Sequence, residues 1–339
     1  DPSPVAKAQA LNAIGWINFQ RGNFDEARRY LQQALALVEG ASAYDIIASI
    51  YNRMGAVAFE SGDLSQAANY ARQSLMLREN MGDTVGVARM YNNLGMMSWR
   101  LGEWKQALEN YSHSLRLLEQ IGDVDGIAIA HNNRGLLFTD QGNVAAARAE
   151  LEAGLKAAQQ IGNMFYVARA HMNLGRLWNV VGDWDKAAAH LAESEQLFAE
   201  IETRDTLADV LLLQSEVHIG KGDLDRARGL ISQVRAILKE ANQLESDQQG
   251  RLARQLGMIA MLEGNWPEAQ SALQESVAVF HKLGDGFEQA KTSYQLGLLA
   301  SQVFDMAQAR SHLEESRQIF ERLGAKLELE KCNKLLSEL

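Results

Sequence analysis

Apolar, small and polar positions recur along this chain at a fixed spacing of 40 residues. An apolar residue stands at Phe24, Leu64, Trp104, Val144, Trp184, Leu224 and Trp266. Three residues after each comes an alanine, the series being Ala27, Ala67, Ala107, Ala147, Ala187, Ala227, Ala269 and, in the last repeat, Ala309. A glycine precedes each apolar residue by two, at Gly22, Gly62, Gly102, Gly142, Gly182, Gly222 and Gly264. A further glycine lies upstream at Gly15, Gly55, Gly95, Gly135 and Gly175; Ser215 takes the next slot, and Gly257 and Gly297 follow after a slip of two. Phased series over the whole length mark an internal repeat, which decides the fold before any local detail.

Each series has a mechanical reason. A glycine inside a helix costs up to ~1 kcal/mol against alanine, so its recurrence predicts a neighbouring helix passing where a Cβ would stand. The second glycine follows the helix as a C-cap free to adopt positive φ. Asp63, Glu103, Asp183 and Asp223 come directly after it and are placed to cap the next helix. The apolar residue plugs the turn, and the alanine lets helix B lie close on helix A. The unit is therefore a helix hairpin written eight times, an all-α array over 1–325. Residues 326–339, with Leu327, Leu335, Leu336 and Leu339, form an amphipathic capping helix for the last apolar face. The weakest join is 239–250, where two extra residues and a missing helix glycine predict a change of pitch or a mild hinge rather than a domain boundary.

The run Leu94-Gly95, Gly102-Glu103-Trp104, Ala107 and Tyr111 resembles the tetratricopeptide repeat signature, with the same spacing of twelve from helix glycine to alanine (95 to 107). The likeness spans roughly residues 5–325 but departs in its period of 40, and in lacking the late proline of each repeat. Helix B runs longer instead, ending in Gly82-Asp83, Gly122-Asp123 or Gly284-Asp285. This subtype is similar to the arrays of Pins-type spindle-orientation adaptors, kinesin light chains and bacterial multidomain regulators. The resemblance implies a right-handed superhelical solenoid of about eight antiparallel pairs with a concave groove lined by helix A.

Composition narrows the function. Only 3 prolines occur, at Pro2, Pro4 and Pro267, and the formal net charge is −10. An acidic chain with no basic cluster is a poor phosphate-backbone binder, so no direct nucleic-acid partner is expected. No apolar run reaches the ~18–20 residues of a membrane span, and no signal peptide opens the chain. Cys332 is alone, which rules out a disulfide framework or thiolate metal site. A cytoplasmic setting is expected. Asp1, not methionine, opens the chain, suggesting a segment of a longer regulatory protein.

No P-loop, HExxH, GxSxG or CxxC motif is present, so neither catalytic residues nor a cofactor or metal are expected. His131 and His171 share a phase with Tyr51 and Tyr91, which points to packing. The turn aspartates follow the repeat phase of caps rather than paired acids. One series lacks an obvious scaffold task. Asn12, Asn52, Asn92 and Asn132 sit three residues before the helix glycine, and Asn93, Asn133 and Asn173 two before it. Asparagine competes for backbone hydrogen bonds and is a mediocre helix former. In tetratricopeptide arrays these positions face the groove and hold a peptide's main chain, through an amide that both donates and accepts. On that reading alanine at these positions leaves folding intact.

Arg53 takes the asparagine phase in repeat two, Arg89 and Arg169 lie six residues before their glycines with Arg251 and Lys291 in the same phase, and Arg100 and Arg176 follow on later turns. If they point inward, an acidic chain has a basic groove suited to carboxylates or phosphates; otherwise they are solvated or paired to nearby acids. Phe19, Phe59 and Trp99 share a late helix-A phase, as anchor pockets or as core. The function implied is a non-catalytic protein- or peptide-binding scaffold, its groove taking a partner segment, an acidic one where the arginines face in. The alternative is a domain that senses a ligand or signal peptide and controls an attached catalytic or DNA-binding domain. Self-association is left open.

Overall fold

The computed structural model describes residues 3–201, 203–240 and 246–339, which form seventeen helices and no strand. They fall into two compact units, Asp1–Gly126 and Ile127–Leu339. Unit 1 holds the hairpins α1 (Pro4–Gln20) with α2 (Phe24–Val38), α3 (Tyr44–Glu60) with α4 (Leu64–Met81), and α5 (Thr84–Arg100) with α6 (Trp104–Ile121). The next hairpin is α7 (Val124–Asp140) with α8 (Val144–Gln160), followed by α9 (Met164–Val181) with α10 (Trp184–Glu200). Unit 2 continues through α11 (Arg204–Lys221) with α12 (Leu224–Glu240), α13 (Asp247–Leu262) with α14 (Trp266–Lys282), α15 (Gly286–Gln302) with α16 (Met306–Leu323), and α17 (Lys326–Glu338). The fold is thus a helical solenoid of sequential pairs.

The small residues sit where close approach demands them. All eight phased alanines are fully buried, at 0% exposure. A Cβ at Gly135 would lie 2.6 Å from Leu151 Cγ and 3.3 Å from Leu151 N, so helix B occupies the space a side chain would need. The turns cap as expected at Asp63, Asp183 and Asp223, whose carboxylates accept the amide three residues on at 3.0, 3.2 and 3.3 Å. Glu103 does not cap, which corrects that expectation; glutamate is not among the short side chains that favour the N-cap. Phe19 and Phe59 pack against the apolar clusters of unit 1 and belong to its core, not to an anchor pocket.

Of the join expected to hinge at 239–250, residues 241–245 lie outside the described residues. On either side of it one apolar cluster runs through Leu211 and Leu212 of α11, Ile231 and Leu238 of α12, and Leu252 and Ile259 of α13. At the end of the chain Cys332 is fully buried, donating to the Leu313 carbonyl at 3.2 Å, and burial pushes its thiol up to about 11. Helix α17 also reaches the α7–α8 turn. The Lys326 amide donates to the Gln141 carbonyl at 3.2 Å, and a Cβ on Gly142 (φ 71°) would stand 2.9 Å from Leu327 N.

Candidate binding face

Counting from the helix-A glycine, positions −6, −2, +1 and +5 fall on one stripe of each helix A, because an α-helix turns every 3.6 residues. In unit 1 that stripe carries Arg89, Asn93 and Arg100 on α5 and Arg53 on α3. The Asn93 amide donates to Asn52 Oδ1 at 3.0 Å, and both side chains are half-buried. Arg53 donates to the Asn12 carbonyl at 2.7 Å and lies over the Trp16 ring, while burial lowers its pKa. Arg100 lies over the Phe59 ring. Arg89 is exposed. Burial pushes the Asp83 carboxyl up, but the Gly86 amide, Arg78 and Arg89 outweigh it and hold it below the usual range.

In unit 2 the Asn173 amide donates to Asn132 Oδ1 at 3.3 Å, and Asn132 donates to the Ala128 carbonyl at 3.0 Å. Gln255, at the same phase in repeat seven, donates to the Leu212 carbonyl at 3.0 Å. One rule covers Arg53, Asn93, Asn173 and Gln255: the residue two before the glycine reaches back to the residue three before the glycine slot of the preceding repeat, which Ser215 fills in repeat six. The asparagines therefore do have a scaffold task, which corrects the expectation that folding is indifferent to them. Asn132 and Asn173 are only 4% and 2% exposed, too deep to hold a ligand's backbone directly. Asn92 and Asn133 are half-buried.

Three arginines of unit 2 meet acids at buried or half-buried positions. Arg176 pairs with Asp140 at 2.7 Å, Arg251 with Asp209 at 2.9 Å, and Arg254 with Glu288 at 2.6 Å, with Lys291 on Glu288 at 3.0 Å. Arg169 lies over the Phe165 ring, and burial lowers its pKa. Burial also drives Asp140 up to about 6 against the pull of Arg176 and Lys291, with Glu288 and Asp285 adding repulsion. Arg176 sees Asp140, Glu288 and Glu216 together, and that surplus of acids outweighs its own burial and raises its pKa. Glu288 is held well below the carboxylate range, because Arg254, Lys291, Arg176 and Arg251 overcome its burial. The face is a cross-neutralised network rather than a bare basic groove. The acids that complete it carry their own signal in the sequence, the repeat phase. Asp209 takes in repeat six the position of Arg169 and Arg251, and Glu216 takes that of Arg176.

The phased aromatic and histidine position packs within each hairpin, as its phase implied. Tyr51 stacks on Tyr70, Tyr91 on His113, His131 Nδ1 meets Glu150 at 2.8 Å, and His171 Nδ1 meets His190 Nδ1 at 3.1 Å. Burial, then the neighbouring ring, lowers the His171 pKa against Glu193; burial lowers that of His190 against Glu152. An unfolded histidine titrates near ~6.5. Below that pH the unfolded chain takes up more protons than the native one, so stability falls as pH falls. His190→Gln should flatten the loss of melting temperature between about pH 7.5 and 5.5; an unchanged slope would mean that the pair does not titrate in this way.

Among the described residues no group of three or more His, Cys, Asp or Glu is arranged to hold a metal ion, and no helix is long and apolar enough to cross a membrane. The sequence profile of the MalT-like TPR region matches residues 6–312. A search of curated protein sequences gives no match. Among solved structures, the chain is similar to a Rap protein complexed with Competence and Sporulation Factor, with TM-score 0.60, 15% identity and 99% of each chain covered. It is similar to the Rap conjugation gene regulator of plasmid pLS20 in complex with the Phr* peptide, with TM-score 0.66 and 13% identity over 95% of this chain and 96% of that one. The apo quorum sensor NprR from B. thuringiensis aligns with TM-score 0.64 and 13% identity, over 92% and 87% of the two chains. At these identities the likeness is one of fold.

Proposed function

This chain belongs to the family of the MalT-like TPR region, and on that premise we propose that it binds a peptide or protein segment on its helix-A face and carries out no chemistry of its own. The observation that carries the reading is the Asn52–Asn93 pair. It uses one N–H of Asn93 and Oδ1 of Asn52, leaving the Asn52 amide as donor and the Asn93 Oδ1 as acceptor on a half-buried surface. A main chain offers the complementary carbonyl and N–H. Exposed Arg89, one helical turn before Asn93 on the same stripe, adds a preference for a carboxylate or phosphate on the bound segment. The Phr* peptide bound in one of the similar structures supports this class of ligand.

A second reading is supported by unit 2, where ion pairs tie α7 to α9, α11 to α13, and α13 to α15. A ligand competing for those arginines would loosen the repeats together and so report its presence to an attached domain. The test is selection of binders from a random decapeptide display library, followed by calorimetry with one selected peptide. Asn93→Ala and Asn52→Ala should each weaken it by roughly 1–2 kcal/mol, whatever its side chains are. The loss in Arg89→Ala should shrink at high salt. Equal affinity in all three variants would move the site off this face.

A further inference from the structure

The cations on the helix-A face of unit 2 can be accounted for one by one. Arg176, Arg251, Arg254 and Lys291 each hold a carboxylate, at distances of 2.6–3.0 Å. Arg169 shares the phase of Arg251 and Lys291 but makes no hydrogen bond or ion pair among the described residues. Its guanidinium lies over the Phe165 ring, 5.8 Å from the centroid. The acid whose charge reaches it is Asp209, and that carboxylate is already used twice. Arg251 donates to Oδ1 at 2.9 Å and Gln248 to Oδ2 at 3.1 Å. Burial therefore wins at Arg169 and lowers its pKa, the mark of a cation that has lost water and gained no matching acid. A desolvated charge without a partner is costly, and an orphan of this kind calls for a bound ion.

The local geometry favours one class of ion. Packing over Phe165 holds the guanidinium by its face and leaves its N–H edges for an acceptor lying in its plane. Tyr166 precedes Arg169 by three residues and so shares its side of α9. Its hydroxyl has no hydrogen-bond partner among the described residues, and its charge state acts on Arg169. Both side chains are half-buried, so a small solute reaches them from water. One guanidinium balances one negative charge, and Asp209 beside it repels a second. That selects a carboxylate over a phosphate group, which carries roughly −1.5 to −2 at neutral pH.

We propose that Arg169 and Tyr166 form a site for a single carboxylate group, held by the guanidinium edge and the phenol hydroxyl. The site does not rest on the Asn52–Asn93 pair, which lies in unit 1 and offers its free groups to a main chain. It also differs from displacement of an existing ion pair. Arg176, Arg251 and Arg254 would each have to leave an acid to take a ligand, whereas Arg169 has none to leave. A lone carboxylate on a half-buried guanidinium binds weakly, with a Kd on the order of 1–10 mM. Two sources supply the same chemistry, a small monocarboxylic acid and the C-terminus of a peptide, and they differ in what the rest of the ligand adds.

The probes are sodium acetate, trialanine, the C-terminal amide of trialanine and inorganic phosphate, each titrated into the isotope-labelled chain at neutral pH and constant ionic strength. The Arg169 Nε–H resonance, identified by its absence from Arg169→Met, should shift and saturate with acetate. Acetate should raise the melting temperature of the parent but not of Arg169→Met. Without acetate, Arg169→Met should melt at or above the parent, because an uncompensated charge is gone. Tyr166→Phe should weaken acetate by about 5-fold, the scale of one hydrogen bond. Trialanine binding about 10-fold or more tighter than acetate assigns the carboxylate to a peptide end; a smaller gain assigns it to a small acid. Asn93→Ala should change none of these results, so failure on the unit 1 face and failure here are separate outcomes. A resonance still unsaturated at about 100 mM acetate overturns the proposal. So does an amide that binds as well as the acid, or phosphate that binds more tightly than acetate. An Arg169→Met that melts well below the parent overturns it too, because the guanidinium would then be compensated already.

Discussion

Leucine in place of Gly135 is expected to destabilise the chain by about 3 kcal/mol, at the upper end of overpacking costs. The Cβ alone would stand 2.6 Å from Leu151 Cγ and Cδ2, and the Leu151 amide at 3.3 Å leaves little room to retreat. Leu151 is fully buried in a cluster with Ala147, Leu174 and Leu177, so the displaced volume has nowhere to go but into the next hairpin. Alanine at the same position carries the same Cβ at 2.6 Å from Leu151 Cγ, so it should also destabilise, but by less than leucine, because it adds no further carbons and recovers up to ~1 kcal/mol of helix propensity. Denaturant melts of the two variants beside the parent decide the matter. If the leucine variant melts with the parent, close helix approach at this phase is wrong.

Removing Arg254 should cost as much or more. Its side chain is 5% exposed and pairs with a Glu288 that is 13% exposed, and its guanidinium also lies over the Phe280 ring. Taking away one partner of a buried pair leaves a desolvated charge, a change that typically costs about 3–5 kcal/mol. Lys291 at 3.0 Å from Glu288 softens the blow without cancelling it. Arg254→Met should therefore melt far below the parent, and adding Glu288→Gln should recover a large part of the loss, because the uncompensated charge is gone. A double variant no more stable than the single one would show that packing of Arg254, and not its charge, is what matters.

The architecture was legible because each repeated small residue has one mechanical job and that job leaves a period. Glycine at position 135 and alanine at 147 are interpretable from spacing alone, and the structure places both where two helices touch. The candidate face was legible only in part. Phase put Asn93, Asn173, Arg169 and Arg176 on helix A, but phase says nothing of depth, and Asn173 is buried while Asn93 is not. The phase of Arg251 gives its face but not its partner, so its pairing with Asp209, on the preceding helix A, is not legible from spacing alone. The serines of helix B are equally silent in sequence, because a lone hydroxyl gives no sign of its depth. Ser74, Ser194 and Ser316 are fully buried and donate to the carbonyls of Ala48, Ala168 and Ala290, at 2.8, 2.9 and 3.0 Å.

The seat of α17 on the α7–α8 turn bears on how such a chain can lengthen or shorten. A simple solenoid gains or loses a hairpin at small cost, since each repeat touches only its neighbours. Here the Lys326 amide must meet the Gln141 carbonyl, and Leu327 must meet Gly142. Deleting one hairpin between α9 and α14 would shift α17 by at least one interhelical spacing of ~8–10 Å, far outside hydrogen-bond range. Between α8 and α17 the number of hairpins is thus a fixed integer of the design, as the number of strands is in a closed barrel, and any change in that number must be accompanied by a new seat for α17.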